Sequence, residues 1–165
     1  MEIQIDLVRK EQKEILRNLM EKYLYEFSQY ENMDVNELGL YGYDYFDLYW
    51  IEEKRNAFFI RIDKKLAGFV MVNNIDETKM NTNYSISEFF IMFKYRRLKI
   101  GTYTIKNIFK KFPGKWEITY VQKNIPANNF WNKIIGEYTN GKFEKIIDYK
   151  KFDDGLKRDA LIFDV

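Results

Sequence analysis

Ile3, Ile5 and Leu7 alternate with polar residues, which predicts a half-buried opening strand. From Lys10 the period changes. Ile15, Leu16, Leu19, Met20, Tyr23, Leu24 and Phe27 fall on one face at helical spacing, with Lys13, Arg17 and Glu21 opposite. Residues 28–50 are less regular: Gly39 and Gly42 interrupt them, and acids alternate with aromatics from Tyr43 to Trp50. A short helix from about Tyr45 to Lys54 is the expectation there. Ala57 to Ile62 and Leu66 to Asn73 are strand-like, and Asp63-Lys64-Lys65 joins them as a hairpin. Asn74 to Asn83 reads as a polar loop.

The second half repeats the alternation of strand and helix. Tyr84 to Phe93 is rich in aromatic and β-branched residues and predicts a strand. Gly101 to Phe112 carries Tyr103, Ile105, Ile108, Phe109 and Phe112 at mainly helical spacing, and Pro113-Gly114 stops it. Trp116 to Val121 predicts a strand, Ala127 to Ile135 a helix, and Phe143 to Tyr149 with Ala160 to Val165 a closing strand pair. The expected fold class is therefore α/β (α+β): one mixed, mostly antiparallel central sheet flanked by helices, forming a single domain over residues 1–165.

Composition narrows the chemistry. The chain has 165 residues, 46% hydrophobic and 18% aromatic, enough for a sizeable core. No apolar run is long enough to cross a bilayer, and the start lacks a secretory pattern, so the expectation is a cytoplasmic protein with no membrane partner. Cysteine and histidine are both absent. That excludes disulfides, thiol nucleophiles, the Ser-His-Asp arrangement and Cys/His metal sites. Acid–base work must fall to Glu, Asp, Tyr, Lys or water. Acyl transfer to an amine tolerates that restriction, because a carboxylate or water can take the amine's proton. With 27 basic and 25 acidic residues, the net charge of +2 does not suggest nucleic-acid binding.

The most specific stretch runs from Tyr84 to Trp131. A basic turn, Lys94-Tyr95-Arg96-Arg97-Leu98-Lys99-Ile100-Gly101-Thr102, leads from a strand into a helix, whose first N–H groups suit an anion such as a diphosphate. A polar loop follows the next strand: Asn124-Ile125-Pro126-Ala127-Asn128-Asn129-Phe130-Trp131. Glu88 is the one carboxylate on an otherwise apolar strand. Burial would make it a better base near neutral pH; the plain alternative is a strand residue facing water or paired with a lysine.

This order of parts resembles the GCN5-related N-acetyltransferase (GNAT) superfamily. Arg96 and Gly101 match the first and last positions of that family's Gln/Arg-x-x-Gly-x-Gly/Ala turn, and Lys99 replaces its first glycine. The Asn124 to Trp131 segment is similar to the family's Asn-x-x-Ala-x-x-Phe-Tyr pattern, with Trp131 in place of the tyrosine that often serves as general acid. The resemblance implies an acyl-CoA N-acyltransferase fold that uses acetyl-CoA and no metal. It implies that Ile91, Met92 and Phe93 pair with the pantetheine arm, and that Arg96, Arg97, Lys99, Ile100, Gly101 and Thr102 hold the diphosphate. Asn124, Ala127, Phe130 and Trp131 would line the rest of the cofactor. Glu88 would take the amine proton, and Tyr138 or Tyr120 would supply one to the thiolate. The acceptor would be a small-molecule or peptide amine, bound near Asp44, Asp47, Glu52 and Glu53 with Tyr43, Tyr45, Tyr49 and Trp50 as walls. Exposed aromatics suit a homodimer. A catalytically silent CoA-binding module of the same fold is the alternative.

Overall fold

A computed structural model describes residues 1–74, 81–149 and 154–165. Seven strands form one sheet in the order β1-β2-β3-β4-β5-β7-β6. They are β1 (Ile3–Leu7), β2 (Arg55–Ile62), β3 (Lys65–Asn74), β4 (Tyr84–Ile91), β5 (Lys115–Val121), β6 (Glu144–Ile146) and β7 (Arg158–Asp164). The helices are α1 (Lys13–Phe27), α2 (Ile100–Lys111) and α3 (Ile125–Tyr138). β4 and β5 run parallel, whereas β1–β2, β2–β3, β5–β7 and β6–β7 are antiparallel. The mixed, mostly antiparallel sheet flanked by helices is the expected fold class. Two compact units make up the chain: Met1–Asn73 with Ser87–Thr104, and Asn74–Ile86 with Ile105–Val165.

In the first unit, alternation on β2, and on β3 to either side of a bulge at Ala67, sends side chains to two cores. Ala57, Phe59, Phe69 and Met71 pack with Leu16, Leu19, Met20 and Leu24 of α1. Ile60, Ile62 and Ala67 pack with Ile100 at the start of α2. The α1 stripe legible in the sequence thus has its partner in alternate β2–β3 positions. The β2–β3 hairpin turns through Asp63 (φ 47°) and Lys64 (φ 66°), two consecutive left-handed residues, the twist a two-residue hairpin needs.

In the second unit, Phe109 of α2 meets the rings of Trp116 and Phe163 at 5.0 and 5.1 Å. Ile134 and Ile135 of α3 are buried as well. Asn124 accepts a hydrogen bond from the Ala127 N–H (3.1 Å) and caps α3, with Pro126 in the first turn.

Two elements depart from the sequence expectation. The helix expected over Tyr45 to Lys54 is only a 3₁₀ turn, Phe46–Trp50. Its aromatics are drawn to separate partners: the Trp50 indole donates to the Val8 carbonyl (3.2 Å) and the Tyr49 hydroxyl to Asn73 (2.7 Å). The strand expected over Phe143 to Tyr149 shrinks to Glu144–Ile146. Asp148 turns left-handed (φ 52°) and gives its N–H to the Asp159 side chain (3.3 Å) instead of to the ladder. Much of the expected polar loop, residues 75–80, lies outside the described residues.

Candidate active site

β4 carries the central carboxylate. Its consecutive residues Ser87 and Glu88 both reach tyrosines of the first unit: Ser87 hydrogen-bonds Tyr49, and Glu88 hydrogen-bonds Tyr23 and Tyr43. Phe89 and Ile91 then pack with Ile60 and Ile100, whereas Phe90 packs with the α1 core. Glu88 to Ile91 therefore alternate between the two faces of the sheet. The register break lies on β3, where Ile60 pairs with Gly68 and Arg61 with Leu66, leaving Ala67 bulged. β3 also lets β4 come close. A Cβ built on Gly68 would lie 2.0 Å from the Phe90 carbonyl oxygen, so no side chain fits there. The Met92 N–H then bonds the Ala67 carbonyl (2.8 Å).

The tyrosines are held independently. The Tyr23 ring, on α1, sits 5.5 to 5.9 Å from the rings of Phe27, Phe69 and Phe90. Tyr43 lies in the segment after α1, which Glu21 pins by accepting from the N–H groups of Tyr41 (2.8 Å) and Gly42 (2.9 Å). Gly42 permits that turn at φ +74°. Burial first, and then the Glu88 charge, push the Tyr23 and Tyr43 hydroxyls well above the ordinary tyrosine range. Burial likewise pushes Tyr49 up to about 12, against a Ser87 hydrogen bond that lowers it. All three phenols therefore stay protonated at neutral pH.

Several of the acids proposed to attract an amine have other work. Asp47 bonds Lys13 (2.8 Å) and approaches Arg17 (3.5 Å), and the lysine hydrogen bond holds its carboxyl below the usual range. Glu52 pairs with Arg55 at 2.6 Å. Asp44 and Glu53 are exposed. Tyr49 and Trp50 do line a cavity of about 600 Å³ together with Val8, Arg9, Arg55 and Glu52, but Glu88 and Tyr43 are not among its walls.

The basic turn divides in two. The Arg96 guanidinium turns back on the protein: Nε donates to the Ile91 carbonyl (2.7 Å), Nη2 to Glu26 (2.6 Å), and its carbon lies 4.1 Å from the Phe93 ring centroid. Arg97 and Lys99 are exposed and both left-handed, at φ 63° and 60°. Lys99, at the family's glycine position, keeps a backbone conformation that glycine favours. Its carbonyl accepts from Tyr103 N–H (3.0 Å), so Lys99 is the N-cap of α2 and the N–H groups of Ile100, Gly101 and Thr102 precede the first intrahelical bond. Alternating backbone hand at a helix start makes a concave ring of N–H donors suited to an anion.

The remaining site residues belong to the second unit. Ala127 and Phe130 are half-buried and Trp131 is buried, with its ring 5.0 Å from that of Phe130. Tyr138 ends α3 and rests edge-on against Phe109 at 5.3 Å. The Tyr120 hydroxyl accepts from Asn132 (2.7 Å) and lies 3.5 Å from Asp159, which commits it to a buried network.

Sequence reasoning missed Tyr23, Glu21, Glu26 and Gly68. Tyr23 sits in the apolar stripe of α1 and reads as core, which its ring is; only its hydroxyl is polar. The carboxylates Glu21 and Glu26 meet partners 21 and 70 residues away, and nothing local marks them.

Among the described residues, no cluster of His, Cys, Asp or Glu could hold a metal, and no helix is long and apolar enough to cross a membrane. The fold matches solved structures over nearly their full length. An acetyltransferase from Thermus thermophilus aligns at TM-score 0.72 and 12% identity, covering 100% of this chain and 98% of that one. An N-acetyltransferase from Staphylococcus aureus Mu50 aligns at 0.66 and 16%, covering 99% and 98%. A GNAT-family acetyltransferase from the same strain aligns at 0.63 and 17%, covering 99% of each. No curated protein matches the chain. The model of the acetyltransferase (GNAT) family matches residues 14–136, and the protein belongs to that family.

Proposed function

We propose that this protein transfers an acetyl group from acetyl-CoA to a primary amine, with Glu88 as the base. The observation that carries this reading is the half-buried Glu88 carboxylate on β4, bonded by Tyr23 and Tyr43 just ahead of Ile91 and the α2 start. The donor fits what the turn offers: exposed Arg97 and Lys99, and the first N–H groups of α2, suit its diphosphate. When bound, acetyl-CoA supplies an activated thioester. Asn124, Ala127, Phe130 and Trp131 of the second unit are the residues assigned to its pantetheine arm, as in the family pattern.

Glu88 accepts the proton of the attacking amine, directly or through one water, as the new C–N bond forms. The Ile91 N–H polarises the carbonyl oxygen, and the Arg96 bond to the Ile91 carbonyl holds the next peptide along the strand. The C–S bond breaks and the thiolate takes a proton from water or Tyr138. Arg96 serves this site by holding β4, and Arg97 and Lys99 supply the charge. The setting is cytoplasmic, and the acceptor is a small-molecule or peptide amine.

The test is Glu88→Gln. Acetyl-CoA affinity by calorimetry should be unchanged, while turnover over a panel of polyamine, aminoglycoside, amino-acid and peptide amines falls about 10²–10³-fold. Full activity in the variant would remove Glu88 as base. Binding of acetyl-CoA with no turnover of any amine by the native protein would leave the silent CoA-binding module as the better reading.

A further inference from the structure

We infer that Tyr23 and Tyr43 are positioning residues for Glu88: two phenols from separate elements clamp its carboxylate in the direction and the ionised form that a base requires. The inference rests on the reading of Glu88 as base, but its first test does not.

The two donors could hardly be fixed by more different means. Tyr23 projects from α1, with its ring locked among Phe27, Phe69 and Phe90. Its hydroxyl can reach Glu88 from one direction only. Tyr43 comes from the irregular segment beyond α1, and Glu21 fastens that segment through two backbone N–H groups. A carboxylate on a strand has two free torsions beyond its stem; a donor from each of two independently anchored elements removes that freedom. Glu88 lies two residues before Phe90, whose carbonyl packs against Gly68, so its backbone is set too.

The charge balance points the same way. The groups bearing on this cluster are Tyr23 and Tyr43, which bond Glu88, and Tyr49, which feels its charge. Glu31 acts on Tyr23, and Arg55 acts on Tyr43 and Tyr49. Each phenol that donates to a carboxylate favours its charged form. Removing a donor must therefore raise the pH at which Glu88 takes up a proton.

The experiment follows the Glu88 carboxyl carbon by NMR in protein labelled with ¹³C at glutamate Cδ, with Glu88→Gln to assign the signal. Tyr23→Phe and Tyr43→Phe, each a loss of one hydroxyl, should raise the titration midpoint by about 0.5–1 pH unit, and the double variant by more. Circular dichroism checks that each variant is folded. An unchanged midpoint in both single variants would overturn the clamp. The rate profile then separates this inference from the reading beneath it. With the best amine of the panel, the acid limb of kcat/KM should move up by the same shift while acetyl-CoA affinity stays constant. A shifted midpoint with an unshifted acid limb would mean that the clamp exists and Glu88 is not the base.

Discussion

The carboxylates of Glu88 and Asp159 are each bonded by several groups, yet their surroundings differ in kind. Asp159, on β7, is 4% exposed. It accepts from Gln122 Nε2 (2.6 Å) and the Asp148 N–H (3.3 Å), and Lys145 lies 3.6 Å away. Amides, backbone and a lysine thereby tie β5, β7 and the chain after β6 together. Glu88 is half-buried on β4 and takes bonds from two phenols. The first carboxylate is enclosed, and its protonation would leave the neighbouring lysine facing a neutral group. The second is half-exposed and takes bonds from phenols. A base must change its charge during turnover, and the half-exposed setting allows that at lower cost.

That contrast can be broken most sharply by exchanging the two losses. Glu88→Gln should remove about 10²–10³-fold of turnover and leave thermal unfolding nearly unchanged. Asp159→Asn should do the opposite, costing on the order of 2–3 kcal/mol in urea unfolding while the folded enzyme keeps its rate per molecule. A rate loss in Asp159→Asn matching that of Glu88→Gln would end the distinction.

A smaller effect sharpens the comparison through tyrosine. Burial pushes Tyr49 up to about 12, and burial with the Glu117 charge does the same for Tyr149, which donates to Glu117 (3.1 Å). Unfolded tyrosine titrates near 10, so between about pH 10 and 12 the unfolded chain loses protons that the folded one keeps. Stability is full below pH 10 and falls as pH rises through that window. Tyr49→Phe should flatten the decline by on the order of 2 kcal/mol, measured by denaturant unfolding at pH 9 and pH 11.5. The smallest effect tests a strained backbone with no role in either cluster. Lys99→Gly should stabilise the fold by about 0.5–1 kcal/mol, since glycine relieves the left-handed cost but adds chain entropy. The same variant should weaken acetyl-CoA binding slightly, and more in low salt than in high, by calorimetry at two ionic strengths.

The fold was legible wherever a period of 2 or 3.6 ran unbroken. The stripe from Ile15 to Phe27 and the alternation of β2 and β3 suffice for α1 and its hairpin. The two shortened elements failed for one physical reason: side-chain bonds to distant partners outweighed local pattern at Trp50 and Asp148. The turn and the Asn124 loop were legible because a helix start is specified locally. The partners of Glu88 were not. Thirteen tyrosines stand in the chain, and the choice of Tyr23 and Tyr43 depends on where α1 and its following segment cross β4. The role of Arg96 was hidden in the same way, because its partner Glu26 lies on α1.

Gly68 gives this protein an unusual vulnerability. A library randomised at that position should return one survivor, and even alanine should be rejected, although the residue is buried within a strand and lies outside the substrate's reach. The constraint would look like an active-site signature in any mutational scan, while its origin is the thickness of a backbone. Repairing such a lesion from elsewhere would require β4 to move away from β3, and Glu88 with it. Function and fold are therefore inseparable at a residue that has no side chain.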